Sequence, residues 1–401
     1  MRLGTTRNSR AIISTDGAKV APTSPPAVAE HRYLALDALR GAAAFAVLFY
    51  HLRNLETPDR ATAGFASFAS GYLAVDFFFV LSGFVLAHAY GERWAQGLTP
   101  GRFMLARFVR LQPMIAVGTL LGFALALSQR LLGLPGAPGL TEIGTSLVLN
   151  LLILPNPMVP WGIFLFNPPI WSLFYEMLAC LVLALGMRRA FTGRAARQAR
   201  ISGCLLVACA AGLLGLIASV VLTGNLDRGV VLKDWPVGLA RIAFSFSLGL
   251  LLHRSRRYWM RRIPSVPVIW LLLACLGTLA FSPSGVARSL YDLAFVTLIS
   301  PVIVALGAVS VPTVRTRPIA EWLGAISYPL YAIHAPIKHI ADTFVPLNFL
   351  PLLTLTTIVV VATAWLLARF VDPAMRRALS RLLMASRQRA SKASKLATTT
   401  P

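Results

Sequence analysis

The stretch ISGCLLVACAAGLLGLIASVVL, residues Ile201–Leu222, decides the fold class of this chain. It carries no charge, and its length is close to the ~20 residues that cross a bilayer core of about 30 Å as a helix. Comparable blocks are MIAVGTLLGFALAL at Met114–Leu127 and LLTLTTIVVVATAWLLA at Leu352–Ala368. Of the 401 residues, 56% are hydrophobic and 13% charged, too few polar residues to cover a soluble domain. The sequence therefore predicts an all-α integral membrane protein.

About ten segments have the length and hydropathy predicted for transmembrane helices. They are residues 34–53, 70–90, 113–134, 170–187, 201–223, 236–252, 266–282, 290–310, 322–340 and 350–371. A further apolar segment, Ile143–Leu154, has only about a dozen residues. That length is more typical of a re-entrant or interfacial piece than of a crossing.

The formal net charge is +23, and the basic residues lie mostly in the connectors between apolar blocks. If Ile143–Leu154 does not cross and the N-terminus is cytoplasmic, the basic connectors Gly91–Gln112, Arg188–Arg200 and His253–Arg262 all face the cytoplasm. If it crossed, the later basic connectors would face outward. The positive-inside rule thus predicts ten spans with both termini cytoplasmic. No basic folded domain is left over, so nucleic-acid binding is not expected.

Three regions follow along the chain. Residues 1–30 hold no apolar core and are interrupted by prolines, so they are predicted to form a disordered cytoplasmic N-terminal tail. Residues 31–371 form the predicted transmembrane domain, and residues 372–401 a basic cytoplasmic C-terminal tail. The four cysteines lie in apolar blocks without metal-ligand spacing, and no zinc signature is present, so no metal is expected.

The first predicted span places Asp37, Arg40 and His51 in one apolar helix. Charge at bilayer depth costs at least ~2.5 kcal/mol per residue and usually marks function. Asp37 and Arg40 are spaced to pair on a helix surface. Arg40 and His51 project from one face, about 16 Å apart along the axis. The alternative is that Asp37 and Arg40 extend to the inner surface and His51 to the outer one.

Three further spans carry ionisable groups predicted to lie in the outer half of the membrane: Asp76, Glu176 and His334. Asp76 has no basic residue within one helical turn, so a group on another helix must satisfy it. Together with His51, these residues supply two imidazoles and two carboxylates, which suits proton transfer because a carboxylate can orient a histidine and support its charged form. The alternative is a structural hydrogen-bond network between helices.

Arg107 and Arg110 lie just before the third predicted span, at its cytoplasmic end. They are one helical turn apart, and guanidinium groups suit the phosphates of a nucleotide-like donor. Pro113 is predicted in the first turn of that helix. Ordinary positive-inside flanking explains the two arginines equally well.

Five ordered motifs resemble the membrane-bound acyltransferase-3 family. They are LDALRG…FYH at 36–51, VDFFFVLSGFVLA at 75–87, RFVRLQP at 107–113, PIWSLFYEM at 169–177 and ISYPLYAIHAPI at 326–337. Together they extend over most of residues 33–371. The family's arginine and histidine, separated by ten residues, are matched by Arg40 and His51, and its R-x-x-R motif by Arg107 and Arg110. One departure is WSLFYEM, where relatives more often have WSLSVE.

The resemblance implies a multi-pass enzyme of a bacterial-type inner membrane that transfers an acyl group, often acetyl, from cytoplasmic acyl-CoA. It implies a hydroxyl acceptor on a glycan such as an exopolysaccharide, O-antigen or lipid-linked sugar, and no tightly bound cofactor. On this hypothesis, Arg107 and Arg110 hold the donor phosphates, and Arg40 continues the basic path. His51 acts as general base or carries the acyl group itself. Glu176, Asp76 or His334 orients it or relays protons.

A rival interpretation is a glycolipid transporter or flippase that uses the same intramembrane charges without breaking bonds. Its expected signs are inverted repeats and helices broken in matching halves, which the sequence does not show. The choice between direct transfer and a covalent intermediate stays open at this level, as do the acyl chain length, the acceptor and the oligomeric state.

Overall fold

The computed structural model describes residues 33–55, 68–160, 162–190 and 195–383. The predicted N-terminal tail at 1–30 lies outside these residues, as does the end of the predicted C-terminal tail from residue 384. Throughout the described ranges the secondary structure is helical, without strands. The prediction of an all-α fold is therefore confirmed for this part of the chain.

The helices are labelled in chain order. The first six are α1 Leu34–Leu52, α2 Ala74–Ala95, α3 Pro100–Leu131, α4 Leu140–Leu151, α5 Ile170–Ala190 and α6 Ala195–Thr223. The next four are α7 Trp235–Trp259, α8 Val268–Ala280, α9 Gly285–Ala294 and α10 Ser300–Val309. A π-helical turn at Phe295–Ile299 joins α9 to α10. The last two are α11 Arg317–Phe344 and α12 Phe349–Leu366, and a π-helical turn at Leu367–Val371 follows α12.

A helix lies at each of the ten segments predicted to span. Within the described residues, seven helices are long and apolar enough to cross a membrane, and two shorter apolar helices lie at Ile170–Gly186 and Val268–Ala280. The short segment predicted at Ile143–Leu154 overlaps α4, whose 12 residues make about 18 Å, less than the core thickness of about 30 Å. The chain is a multi-pass membrane protein, while the count of ten and the cytoplasmic termini stay predictions.

Two helices extend beyond their predicted ends. The third starts at Pro100, where Thr99 caps the backbone N–H of Arg102, so Pro113 lies inside the helix and not in its first turn. Hydropathy rises only near Pro113, but the helix continues upstream, where Glu176 of α5 provides a partner for Arg107. The last helix continues after Val371 through residues 372–383, so the start of the predicted basic tail is helical.

The central contact of the fold is between α1 and α11. Arg40 meets Ser327 and His51 meets His334, so the two helices run side by side in the same direction. Gly41 permits the approach, since a Cβ on it would lie 2.6 Å from the backbone oxygen of Leu323. Small residues follow Arg40 in the sequence, and they allow this close packing.

A reciprocal pair of glycines lets α2 and α7 cross at backbone contact. A Cβ on Gly83 would lie 2.2 Å from the carbonyl oxygen of Phe246, and one on Gly249 would lie 2.1 Å from that of Val80. Both distances are far below van der Waals contact, and the obstructing atoms belong to helix backbones that cannot rotate away. The crossing therefore depends on glycine at both positions.

We expect Gly249→Leu to destabilise the protein by about 1–3 kcal/mol, because the side chain must push α7 away from α2. Unfolding in mixed detergent micelles measures this loss. Gly91→Leu is the control. Gly91 lies in α2, the helix that Gly249 of α7 contacts, but a Cβ on Gly91 meets nothing within 4 Å. Equal stability of the two variants would contradict the packing argument.

Candidate active site

Two histidines from α1 and α11 face each other inside the bundle. Nε2 of His334 lies 3.3 Å from Nδ1 of His51, and their ring centroids are 4.9 Å apart. His334 is fully buried, whereas His51 is partly exposed. The structure thus brings together the two imidazoles that the sequence placed at similar depth, and we refer to them as the histidine pair.

Backbone contacts fix the protonation of the histidine pair. Nδ1 of His334 lies 2.8 Å from the carbonyl oxygen of Tyr331, and Nδ1 of His51 lies 2.9 Å from that of Val47. A carbonyl can only accept, so in neutral rings Nδ1 carries the proton in both. His51 can share its Nδ1 proton with the lone pair of His334 Nε2. Its own Nε2 then keeps a lone pair, as a general base requires.

Arg40 lies at the other end of the same α1 face. Its Nε donates to Ser327 Oγ at 2.9 Å, and its Nη2 donates to the carbonyl oxygen of Gly324 at 3.1 Å. It also pairs with Asp37 at 3.0 Å, as the spacing predicted. These bonds hold the guanidinium inside the bundle, about 16 Å along the axis from His51.

Glu176 pairs with Arg107 instead of a member of the histidine pair. Its Oε1 accepts hydrogen bonds from Arg107 and, at 2.6 Å, from Ser82 Oγ. Arg107 is buried, with 5% of its surface exposed. The early start of α3 explains this contact, since it carries Arg107 two turns into the bundle. Sequence reasoning had placed Glu176 in the outer half of the membrane and Arg107 in a cytoplasmic connector.

Asp76 is also removed from the histidine pair. Its carboxylate is fully buried and receives Nε and Nη2 of Arg241 from α7, with Nη2 at 2.7 Å from Oδ2, and Ser245 Oγ donates to it at 3.3 Å. The expected partner on another helix therefore exists. Sequence reasoning did not find Arg241, although an arginine inside the apolar segment 236–252 was the signal.

The buried Arg241 also serves the segment that follows α6. Its Nη1 donates to the carbonyl oxygen of Arg228 at 2.9 Å, its Nη2 donates to that of Tyr72 at 2.8 Å, and its guanidinium lies over the ring of Trp171. One side chain thus joins α2, α7 and the connector that precedes α7. The Asp76–Arg241 pair therefore stabilises the packing of these elements around the histidine pair.

Four guanidinium groups lie within electrostatic range of one another and form the arginine cluster: Arg40, Arg107, Arg110 and Arg376. Three have carboxylate partners, namely Asp37, Glu176 and Asp372. Arg110 is exposed and forms no ion pair within the described part of the chain. Arg376, in the helical residues after Val371, had no role in the sequence-based hypothesis.

Helix α5 connects the two ends of the site. Its Ser172 hydrogen-bonds to the hydroxyl of Tyr331 at 2.7 Å, beside the histidine pair, and its Glu176 reaches Arg107 at the arginine cluster. The helix therefore runs opposite to α1, as expected of the fourth predicted span. Ser327, Tyr331 and His334 lie on one face of α11, and each makes a contact to α1 or α5.

Comparison with protein families matches most of the helical region of the chain to one family. The profile of the Acyltransferase domain family Acyl_transf_3 matches residues 33–369. "Protein 2 in picA locus" of Rhizobium radiobacter is 37% identical over 201 residues, covering 47% of this chain and 97% of that protein. "Acyltransferase MdmB" of Streptomyces mycarofaciens is 27% identical over 332 residues, covering 77% of this chain and 79% of that protein.

No solved structure matches the chain. Within the described residues, no group of three or more histidine, cysteine or acidic side chains could hold a metal ion. With the profile match covering nearly all of the helical region, the chain belongs to the acyltransferase-3 family and is an acyltransferase.

Proposed function

We propose that this protein transfers an acyl group, most simply acetyl, from cytoplasmic acyl-CoA to a hydroxyl of a glycan at a bacterial inner membrane. The observation that carries the proposal is the histidine pair, which leaves Nε2 of His51 as a base on the same face of α1 as Arg40, a member of the arginine cluster. Binding a polyanionic donor at one end and activating a hydroxyl at the other requires both groups.

In the proposed reaction, His51 Nε2 takes the proton of the acceptor hydroxyl as the hydroxyl oxygen attacks the thioester carbonyl. The new ester bond forms, the carbon–sulfur bond breaks, and the CoA thiolate leaves with the proton from the imidazolium. His334 accepts the Nδ1 proton of His51 as a hydrogen bond and so supports the charged ring. The acyl group is conserved, and no further reactant is needed.

The donor end of the proposed site is the arginine cluster. Arg110 has no carboxylate partner in the described chain and is exposed, so its charge is available to a phosphate. Arg40 and Arg376 lie near it. Arg107, which the sequence-based hypothesis also assigned to the phosphates, is buried against Glu176 and supports the site from behind.

We place the acceptor at the opposite end, where a cavity of about 370 Å³ lies between α3, α4 and α11. Its polar lining is Gln129, Glu142, His339 and Thr343, and Phe166 contributes an aromatic face. This volume falls within the ~300–1,000 Å³ of typical ligand pockets. Amide, carboxylate and hydroxyl groups beside an aromatic ring suit a hydroxyl-rich sugar, and His339 is within electrostatic range of His51.

The direct test incubates the purified protein in lipid vesicles with radiolabelled acetyl-CoA and a chemically de-O-acetylated exopolysaccharide from the source organism. Label that enters the polysaccharide as an alkali-labile ester supports the proposal. Movement of unmodified glycolipid across the vesicle membrane, without label transfer, would instead support the transporter interpretation.

We expect Arg110→Ala to raise the KM for acetyl-CoA about 10-fold or more, because a charged hydrogen bond to phosphate contributes about 1.5–3 kcal/mol. The KM for the glycan should not change. Arg130→Ala is the matched control, since Arg130 lies in the last turn of the same helix, far from the arginine cluster. A wild-type KM in Arg110→Ala would remove this residue from the donor site.

A further inference from the structure

The connector after α6 brings a carboxylate to the histidine pair. Oδ2 of Asp227 accepts a hydrogen bond from the hydroxyl of Tyr50 at 2.5 Å. The ring of Tyr50 packs edge-on against the imidazole of His51, with centroids 5.1 Å apart. Asp227 is therefore joined to His51 through one intervening side chain, although 177 residues separate it from Tyr50 in sequence.

The segment that carries Asp227 is anchored on both sides. Before it, the backbone N–H of the fully buried Leu226 donates to Oδ2 of Asp292 at 2.8 Å. After it, the carbonyl oxygen of Arg228 accepts from Arg241, the partner of Asp76. These contacts hold the carboxylate in place without binding it directly. The buried pair of Asp76 and Arg241 therefore acts on the site through this segment.

The charges that act on His51 come from several elements. Asp227 is negative, whereas Arg53 at the end of α1 and Lys338 on α11 are positive. His334 contacts the ring directly, and His339 lies within electrostatic range. A positive charge on His51 next to these two cations is costly unless a carboxylate compensates it. Asp227 has the required sign and position.

We propose that Asp227 is a positioning residue for His51: it holds Tyr50 against the imidazole and stabilises the imidazolium formed when His51 accepts the hydroxyl proton. This inference rests on the proposed function. The sequence-based hypothesis gave the orientation of His51 to Glu176, Asp76 or His334. Glu176 is paired with Arg107 and Asp76 with Arg241, so the carboxylate that supports His51 is instead Asp227, in the connector after α6.

The test compares Asp227→Asn with Asp227→Glu and with the control Asp234→Asn, which removes a neighbouring carboxylate that pairs with Arg228 at 3.6 Å. Asparagine still accepts the hydrogen bond from Tyr50 but carries no charge. We expect Asp227→Asn to lower kcat about 10- to 100-fold with an unchanged KM for acetyl-CoA. Asp227→Glu should recover part of the loss, and Asp234→Asn should behave as wild type.

The pH dependence has a defined sign. Without the Asp227 charge, the imidazolium of His51 is less stable, so the neutral base persists to lower pH. The acidic limb of the kcat profile of Asp227→Asn should therefore move to lower pH. NMR of histidine-labelled protein should show the titration midpoint of His51 moving the same way, and this measurement needs no acyl transfer.

Two outcomes would overturn the inference. One is an Asp227→Asn protein with wild-type kcat and an unmoved His51 titration. The other is loss of thermal stability in both Asp227→Asn and Asp227→Glu without any movement of the titration, which means that the residue only anchors the connector. Absence of acyl transfer in the wild type together with a moved His51 titration would refute the proposed function while leaving the electrostatic role of Asp227 supported.

Discussion

His51→Ala should abolish acyl transfer, lowering kcat by about 10²- to 10⁴-fold, the usual contribution of a positioned general base. This variant loses the Nε2 base, and the His334 ring that remains is fully buried, whereas His51 is partly exposed. The KM for acetyl-CoA should stay close to wild type, since the arginine cluster lies about 16 Å away along α1.

The measurement is transfer of radiolabelled acetyl to de-O-acetylated exopolysaccharide by protein in vesicles. His88→Ala is the matched control, because His88 packs edge-on against Tyr33 near the start of α1, away from the histidine pair. His334→Ala should give a smaller loss than His51→Ala, since it removes the partner of the base and not the base. A His51→Ala enzyme that retains wild-type kcat would refute the assignment of His51 as base.

The local features of the site follow from the sequence. The spacing of Arg40 and His51 places them on one helix face, and both contact the same neighbour, α11. The spacing of Ser327, Tyr331 and His334 likewise defines the face of α11 that α1 and α5 meet. Helical periodicity alone determines these relations, because each involves residues of one helix. The same is true of the Asp37–Arg40 pair.

Partners on different helices could not be derived this way. Asp76 requires a cation on another helix, but nothing local indicates that this cation is Arg241, 165 residues away. The pairing of Glu176 with Arg107 was hidden for a different reason. Hydropathy marks where a helix enters lipid, whereas α3 begins well before that point, and Glu176 compensates the charge of Arg107 in its early part. The position of Asp227 depends on how a connector folds back, which periodicity does not specify.

Asp76→Ala should have the largest effect on stability, about 3–5 kcal/mol, because it leaves Arg241 charged and buried without its carboxylate. The exposed side-chain fractions are 0% for Asp76 and 1% for Arg241, so water cannot replace the lost partner. Unfolding in mixed micelles of increasing denaturing detergent measures the difference. Glu321→Ala is the control, because its pair with Arg317 is exposed, at 47% and 63%, and should contribute no more than about 1 kcal/mol.

Removing both charges distinguishes the loss of stability caused by an unpaired buried Arg241 from the net stability that the ion pair contributes. Asp76→Leu combined with Arg241→Met should recover most of the lost stability, since apolar side chains of similar volume often replace a buried pair without loss. Activity should not recover to the same extent, because the double variant no longer anchors the carbonyl oxygen of Arg228 beside Asp227. A double variant as unstable as Asp76→Ala would show that the hydrogen bonds of Arg241 to Tyr72 and Arg228, and not its charge balance, dominate the stability of this region.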